Sequence, residues 1–246
     1  MAGRARERNS RENRRKREAK QPKWLICCEG ESELLYLKAL TKEWPAPKPT
    51  FHFGAGQCQG VCRDGRVQLA AQALRCGNRG LLYDKIFVVF DADIRLDNRK
   101  DACDFNQAIR MLEEAEGVIP LWSNPCFEHW LEQHDARERP LEDLLAAQWT
   151  LLEGPCRQPC PNGKNCRRSG KPCQERLLRK PYYNGFYALG GLPAAKEAAA
   201  RCRMQIEQSE NQGRCNSRHY HKIQPGSTVY RILDELEAFS ERINIT

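Results

Sequence analysis

Between residues 24 and 131, short apolar runs alternate with stretches whose apolar positions recur at helical spacing. Trp24-Leu25-Ile26-Cys27-Cys28 reads as a buried strand. It breaks at Glu29-Gly30-Glu31-Ser32-Glu33, after which Leu34, Leu35, Leu37 and Leu40 predict a helix with Ser32 as N-cap and Glu33 in its first turn. Residues 45–65 are rich in Pro, Gly and Cys, with one strand expected near Phe51-His52-Phe53. A helix follows from Val67 to about Arg75. Ile86-Phe87-Val88-Val89-Phe90 is the clearest strand of the chain, and Asp91-Ala92-Asp93 ends it. A helix over about Phe105 to Glu116 carries Ile109 and Leu112 on its apolar side. Val118-Ile119-Pro120-Leu121-Trp122 predicts a further strand, and Pro120 argues against a central place for it. Pro125 is expected to open a helix through Phe127, Trp130 and Leu131.

Alternating strands and helices predict an α/β fold with a mainly parallel sheet flanked by helices. The second half reads differently. Residues 153–181 combine cysteines and prolines with little apolar periodicity. Ala194 to Gln208 is expected to be helical, and Val229, Ile232, Leu233, Leu236 and Phe239 mark a final amphipathic helix. Four parts follow: an arm (1–22), an α/β core (23–150), a Cys-rich insertion (153–181) and a helical C-terminal part (182–246) packing on the core.

The 246 residues suffice for a sizeable core, and no window holds the roughly eighteen apolar residues of a membrane span. The first twenty residues are charged, with no apolar stretch behind them, so no export signal, no membrane partner and a cytoplasmic location are expected. Charge is uneven. Residues 1–22 hold nine basic against three acidic groups, which is +6 of the formal +8. Such a segment has too few apolar groups to offset its ordering entropy. Arg14, Arg15, Lys16 and Arg17 suit a phosphate-seeking tail for nucleic acid, where each neutralised phosphate releases a counterion. A solvated tail that aids solubility is the other reading.

The 13 cysteines are odd in number and follow no export signal, so metal binding is a better first expectation than disulfides. Cys156, Cys160, Cys166 and Cys173, spaced C-x3-C-x5-C-x6-C, form a candidate Zn²⁺ site that would order a segment without a core of its own. Arg167 and Arg168, with Arg157, Lys164 and Lys171, would then line a phosphate-facing surface. An unstructured basic loop with incidental thiols stays open. Cys58 and Cys62 form at most a half site. Cys126 reads as a small buried residue, since no His stands beside it in an evident triad.

Two acid groups fall at the ends of two predicted strands: Glu29 with Glu31 and Glu33, and Asp91 with Asp93. Carboxyl ends of parallel strands share one edge, where ligand sites form. Two apart in an extended segment, Asp91 and Asp93 would point to one face. Gly30 would allow the turn that aims Glu29 outward. Carboxylates gathered there repel one another unless a cation joins them, and all-oxygen ligands favour Mg²⁺ or Mn²⁺. Such an ion suits phosphoryl chemistry. The plain alternative makes Asp91 and Asp93 turn residues.

Cys28-Glu29-Gly30-Glu31-Ser32-Glu33 with Tyr36-Leu37 resembles the opening motif of the RloB-like family, a branch of the Toprim superfamily linked to bacterial abortive phage infection. Phe87-Val88-Val89-Phe90-Asp91-Ala92-Asp93 is similar to its Asp-x-Asp strand. Ser123-Asn124-Pro125-Cys126-Phe127-Glu128, continuing through Trp130 and Leu131 to His134, matches its most specific stretch, and Pro225-Gly226-Ser227-Thr228-Val229-Tyr230 its final segment. The likeness covers about residues 22–150 and 215–240. It implies a Toprim-like sheet with Mg²⁺ near Glu29, Asp91 and Asp93, acid/base work or metal binding for Glu29, and a second family acid at Glu33. It also implies a separate ATPase partner, since no Gly-x-x-x-x-Gly-Lys-Ser/Thr occurs here.

Two departures stand out. Ile94 replaces a further acid, for which Asp97 is a substitute, and Lys180-Pro181-Tyr182-Tyr183 lies displaced by the insertion, leaving no assigned catalytic lysine. Glu31, Glu128 and His134 are candidate supporting residues. Glu128 and His134 are six apart and fall on different sides of an ideal helix. In the plain reading Glu128 stabilises the helix start and His134 caps its end.

The leading expectation is a metal-dependent nuclease in anti-phage defence, acting on DNA or RNA. A non-catalytic nucleic-acid-binding effector of the same fold is the alternative. A metal-dependent glycosyltransferase would use the Asp-x-Asp but leaves Glu29-Gly30 and the arm unexplained.

Overall fold

In strand β1 (Lys23–Cys28) every residue after Lys23 is buried, and in β3 (Lys85–Asp91) Ile86 to Phe90 are buried without a break. Continuous burial is what a strand covered on both faces requires. These elements belong to a computed structural model that describes residues 21–54, 65–78, 83–94, 99–135, 186, 189–212 and 219–244. Between and after them lie α1 (Glu31–Glu43), β2 (Thr50–Phe53), α2 (Arg66–Asn78), α3 (Arg99–Glu113), β4 (Val118–Asn124) and α4 (Phe127–Glu132). The C-terminal part adds α5 (Gly191–Asn211), a 3-10 turn (Tyr220–Lys222), the two-residue strand β5 (Gly226–Ser227) and α6 (Arg231–Asn244).

The sheet has the order β2-β1-β3-β4-β5. Its first four strands are parallel, and β5 runs antiparallel to β4 at Ser123 and Asn124. Side chains alternate between two cores, as strand geometry dictates. Trp24, Ile26, Cys28, Phe87 and Val89 pack with Leu37 and Leu40 of α1, Trp130 of α4, Ala198 of α5 and Leu233 and Leu236 of α6. Leu25, Cys27, Ile86, Val88 and Phe90 pack with Leu69 of α2 and Phe105, Ile109 and Leu112 of α3. Three layers result, with the sheet in the middle. No described helix is long and apolar enough to cross a membrane.

Three local expectations are corrected. The N-cap of α1 is Gly30, in extended backbone, and Ser32 lies inside the helix. Pro125 does not open α4. Its carbonyl accepts the Asp93 N–H (2.9 Å), and Cys126, extended at φ −152°, is the N-cap. Asp93 does not continue the extended strand: its φ of 39° lies in the left-handed region, so Asp91 and Asp93 are not alternate positions of one strand. Pro120, paired with Val88, meets no strand on its other side among the described residues, because β5 reaches only Ser123 and Asn124. A proline is tolerated at such a near-edge position.

Candidate active site

The chain leaves β1 toward β2 on one side, and later leaves β3 toward β4 on the other. A sheet of order 2-1-3-4 therefore has its switch point between β1 and β3, and the carboxyl edge at such a point is where ligand sites form in open α/β sheets. Glu29 and Asp91 lie there. The Glu29 N–H extends the ladder by one bond to the Val89 carbonyl (2.9 Å), and Glu29 Oε2 accepts the Asp91 N–H at 3.3 Å. Acids 62 positions apart thus meet at the rim.

Glu33, in the first turn of α1, joins them. Its carboxylate lies over the Gly30 Cα so closely that a Cβ there would stand 2.1 Å from Glu33 Oε2. Glycine at position 30 leaves room for that carboxylate, its φ of −111° being open to any residue. Glu33 is only 4% exposed. Its Oε2 and Asp91 Oδ1 are buried carboxylate oxygens without a hydrogen-bond partner among the described residues. Orphaned acceptors of this kind call for a proton, a water or an ion.

Burial and mutual repulsion act on the whole group. Burial pushes Glu33 up to about 7, with the charges of Glu29, Glu128 and Asp93 adding to the shift and its own backbone N–H opposing it. Burial, then the charge of Glu33, pushes Asp91 up to about 9, against a hydrogen bond from the Phe127 N–H. Glu29 and Asp93 are also raised, chiefly by burial, and the Arg66 guanidinium opposes both shifts. Glu128, in the first turn of α4, adds its charge to the same field. Burial and mutual repulsion thus favour retention of a proton within this group at neutral pH when no cation is bound.

Arg66 was not anticipated from sequence. It is the first residue of α2, donates through Nη1 to the Asp101 carbonyl (3.2 Å), and is a cation whose field reaches both Glu29 and Asp93. No motif surrounds it, so only the packing of α2 against α3 reveals it. Cys126 is pushed up to about 12 by burial, by a hydrogen bond with Glu128 and by the nearby carboxylates. Its thiol therefore stays protonated, unsuited to nucleophilic attack.

His134 stands apart from the acids. It follows the end of α4 and is 7% exposed. Its Nδ1 donates to the Trp130 carbonyl (3.1 Å), so Nε2 accepts the Tyr36 O–H (2.8 Å). Burial drives it down to about 4, so the ring is neutral and clamps α1 to the end of α4. Glu31 opens α1. Asp97, Lys180-Pro181-Tyr182-Tyr183, Cys58, Cys62, the four insertion cysteines, Arg167, Arg168 and the arm with Arg14, Arg15, Lys16 and Arg17 lie outside the described residues.

The donors fit a hard cation in chemistry, being carboxylate oxygens of which two are orphaned. Among the described residues, however, no group of three or more His, Cys, Asp or Glu side chains is arranged to hold a metal ion. Mg²⁺ does not require one: it is commonly held by one or two carboxylates, keeping several waters and taking substrate phosphates for the rest. Asp91 and Glu33 are the pair with free oxygens.

A mainly parallel α/β sheet with a buried acid group at its switch point defines the class of protein. The chain belongs to the RloB-like protein family, whose sequence model matches residues 24–236. No curated protein and no solved structure matches it.

Proposed function

We propose that this chain is a divalent-metal-dependent nuclease of the Toprim type, acting on DNA or RNA in bacterial defence against phage. Membership of the RloB-like family supports the setting. The observation that carries the chemistry is the pair of orphaned buried oxygens, Asp91 Oδ1 and Glu33 Oε2, beside the β1–β3 switch point. In this reading Asp91 and Glu33 hold Mg²⁺ or Mn²⁺, and Glu29 completes the rim. When bound, the ion polarises a phosphodiester oxygen and stabilises charge on the attacking and leaving oxygens.

The residues of the chain then divide the remaining work. Asp91 and Glu33 would have to be ionised to hold the ion, so protons on these buried carboxyls would compete with it and affinity would rise with pH. The Asp91 N–H fixes Glu29 Oε2, leaving Oε1 for acid/base work on a water or a leaving oxygen. Arg66 supplies the nearest positive field for a phosphate. The test is cleavage of DNA and RNA by the purified chain with Mg²⁺ or Mn²⁺. Asp91→Asn should lower the rate at least about a hundredfold while the fold persists, a loss of roughly 3 kcal/mol in transition-state stabilisation. An undiminished rate in the folded variant refutes the proposal.

A second reading is a non-catalytic nucleic-acid-binding effector of the same fold. It predicts nucleic-acid binding by the wild type with no cleavage under either metal.

A further inference from the structure

A nucleic-acid site beside the carboxylates of Glu29, Glu33 and Asp91 needs donors that face phosphate. The turn between α5 and β5 carries one whose orientation and protonation are fixed. Asn106 of α3 is buried, and its Oδ1 accepts the backbone N–H of His221 at 3.2 Å. A backbone N–H can only donate, so the amide cannot be flipped and its other end is Nδ2, a donor. That Nδ2 lies 2.7 Å from His221 Nδ1. Nδ1 must therefore be an acceptor, and the single ring proton sits on Nε2. No described residue accepts a hydrogen bond from Nε2, and the ring is only partly buried.

The same turn borders the acid rim. Asn124, the residue after the register partner of Asp91, donates its side-chain amide to the carbonyls of His221 (3.1 Å) and Ile223 (2.8 Å). The next residue, Pro125, accepts the Asp93 N–H (2.9 Å). Lys222, exposed, adds a cation on this flank.

We infer that the Asn106–His221 pair is a substrate-binding device: a neutral imidazole whose Nε2–H donates to a phosphate oxygen of the nucleic acid, beside the charge contact of Lys222. This inference rests on the nuclease reading and names how that site grips its substrate. Burial and the charges of His219 and Lys222 lower the affinity of His221 for a second proton, in keeping with a neutral ring.

The experiment measures binding of short fluorescent DNA and RNA duplexes to the full chain across a salt series, with Ca²⁺ as the metal. His221→Ala should weaken binding about tenfold, as loss of one hydrogen bond to a charged acceptor does. It should leave the slope of log K against log salt unchanged. His221→Gln, with an amide N–H near the Nε2 position, should restore most of the affinity. Lys222→Ala should lower the slope by about one. Long-range nitrogen–proton NMR at neutral pH should show Nδ1 bare and Nε2 protonated. Equal affinity of His221→Ala and wild type, a slope change in that variant, or a proton on Nδ1 each overturns the inference and leaves the nuclease reading standing. A wild type that binds neither duplex removes both.

Discussion

Replacing Asp91 by Asn should make the metal-free protein more stable, and increasingly so as pH rises. Asp91 ionises at about 9 in the fold against an ordinary 3.8, because burial and the charge of Glu33 disfavour its carboxylate. Between these values the folded state holds a proton that the unfolded chain has released. Stability is therefore fully present below about pH 4 and declines as pH rises toward 9. Each pH unit in that window costs about 1.4 kcal/mol, so about 4 kcal/mol is the upper bound at pH 7. Water reaching the partly exposed rim reduces this. Asn keeps the shape and can accept the Phe127 N–H, and its amide can donate toward Glu33. Urea unfolding in EDTA at about pH 5, 7 and 9 measures the effect. The variant should already exceed the wild type by about 1–2 kcal/mol at pH 5 and by a growing margin above, each kcal/mol raising Tm by about 2–4 °C at this chain length. Mg²⁺ should reverse the order by stabilising only the wild type. Stability curves that run parallel from pH 5 to 9 in EDTA would refute the picture of a buried, repelled carboxylate.

Two further outcomes follow from the same geometry. Gly30→Ala forces the Glu33 carboxylate off its place, since the new Cβ would stand 2.1 Å from Oε2 and 2.7 Å from Oε1. A flexible side-chain end moves at a cost of about 1 kcal/mol, so Tm should change by a few degrees while the Mg²⁺-induced Tm rise is lost; an undiminished rise would dissociate Glu33 from the ion. Deleting residues 1–20, which hold nine basic groups, should weaken nucleic-acid binding and flatten its salt dependence by about 0.9 per lost phosphate contact. Equal slopes with and without the arm would assign it to solubility.

How much was legible beforehand differs by element. The strands at Trp24–Cys28 and Ile86–Phe90 were readable because a strand buried on both faces must be apolar throughout, whatever its neighbours. Helix ends were not, because capping depends on which group reaches the first turn. Ser32 has the chemistry of a cap, yet Gly30 takes the place because the Glu33 carboxylate occupies the space above it. The Asp-x-Asp spacing located two acids but mistook their geometry, since alternation ends with the strand at Asp91 and the chain turns left-handed at Asp93.

From the order of residues alone came the α/β class, the parallel sheet and the acids at its carboxyl edge, because periodicity and strand-end chemistry are local properties. Which carboxylates are orphaned, which are repelled and which cation answers them was decided only by packing. Glu33, Asp91, Glu128 and Arg66 belong to four helices and strands that meet at one switch point. Burial and charge act through space, and no spacing along the chain records the distance between groups brought together by a crossover.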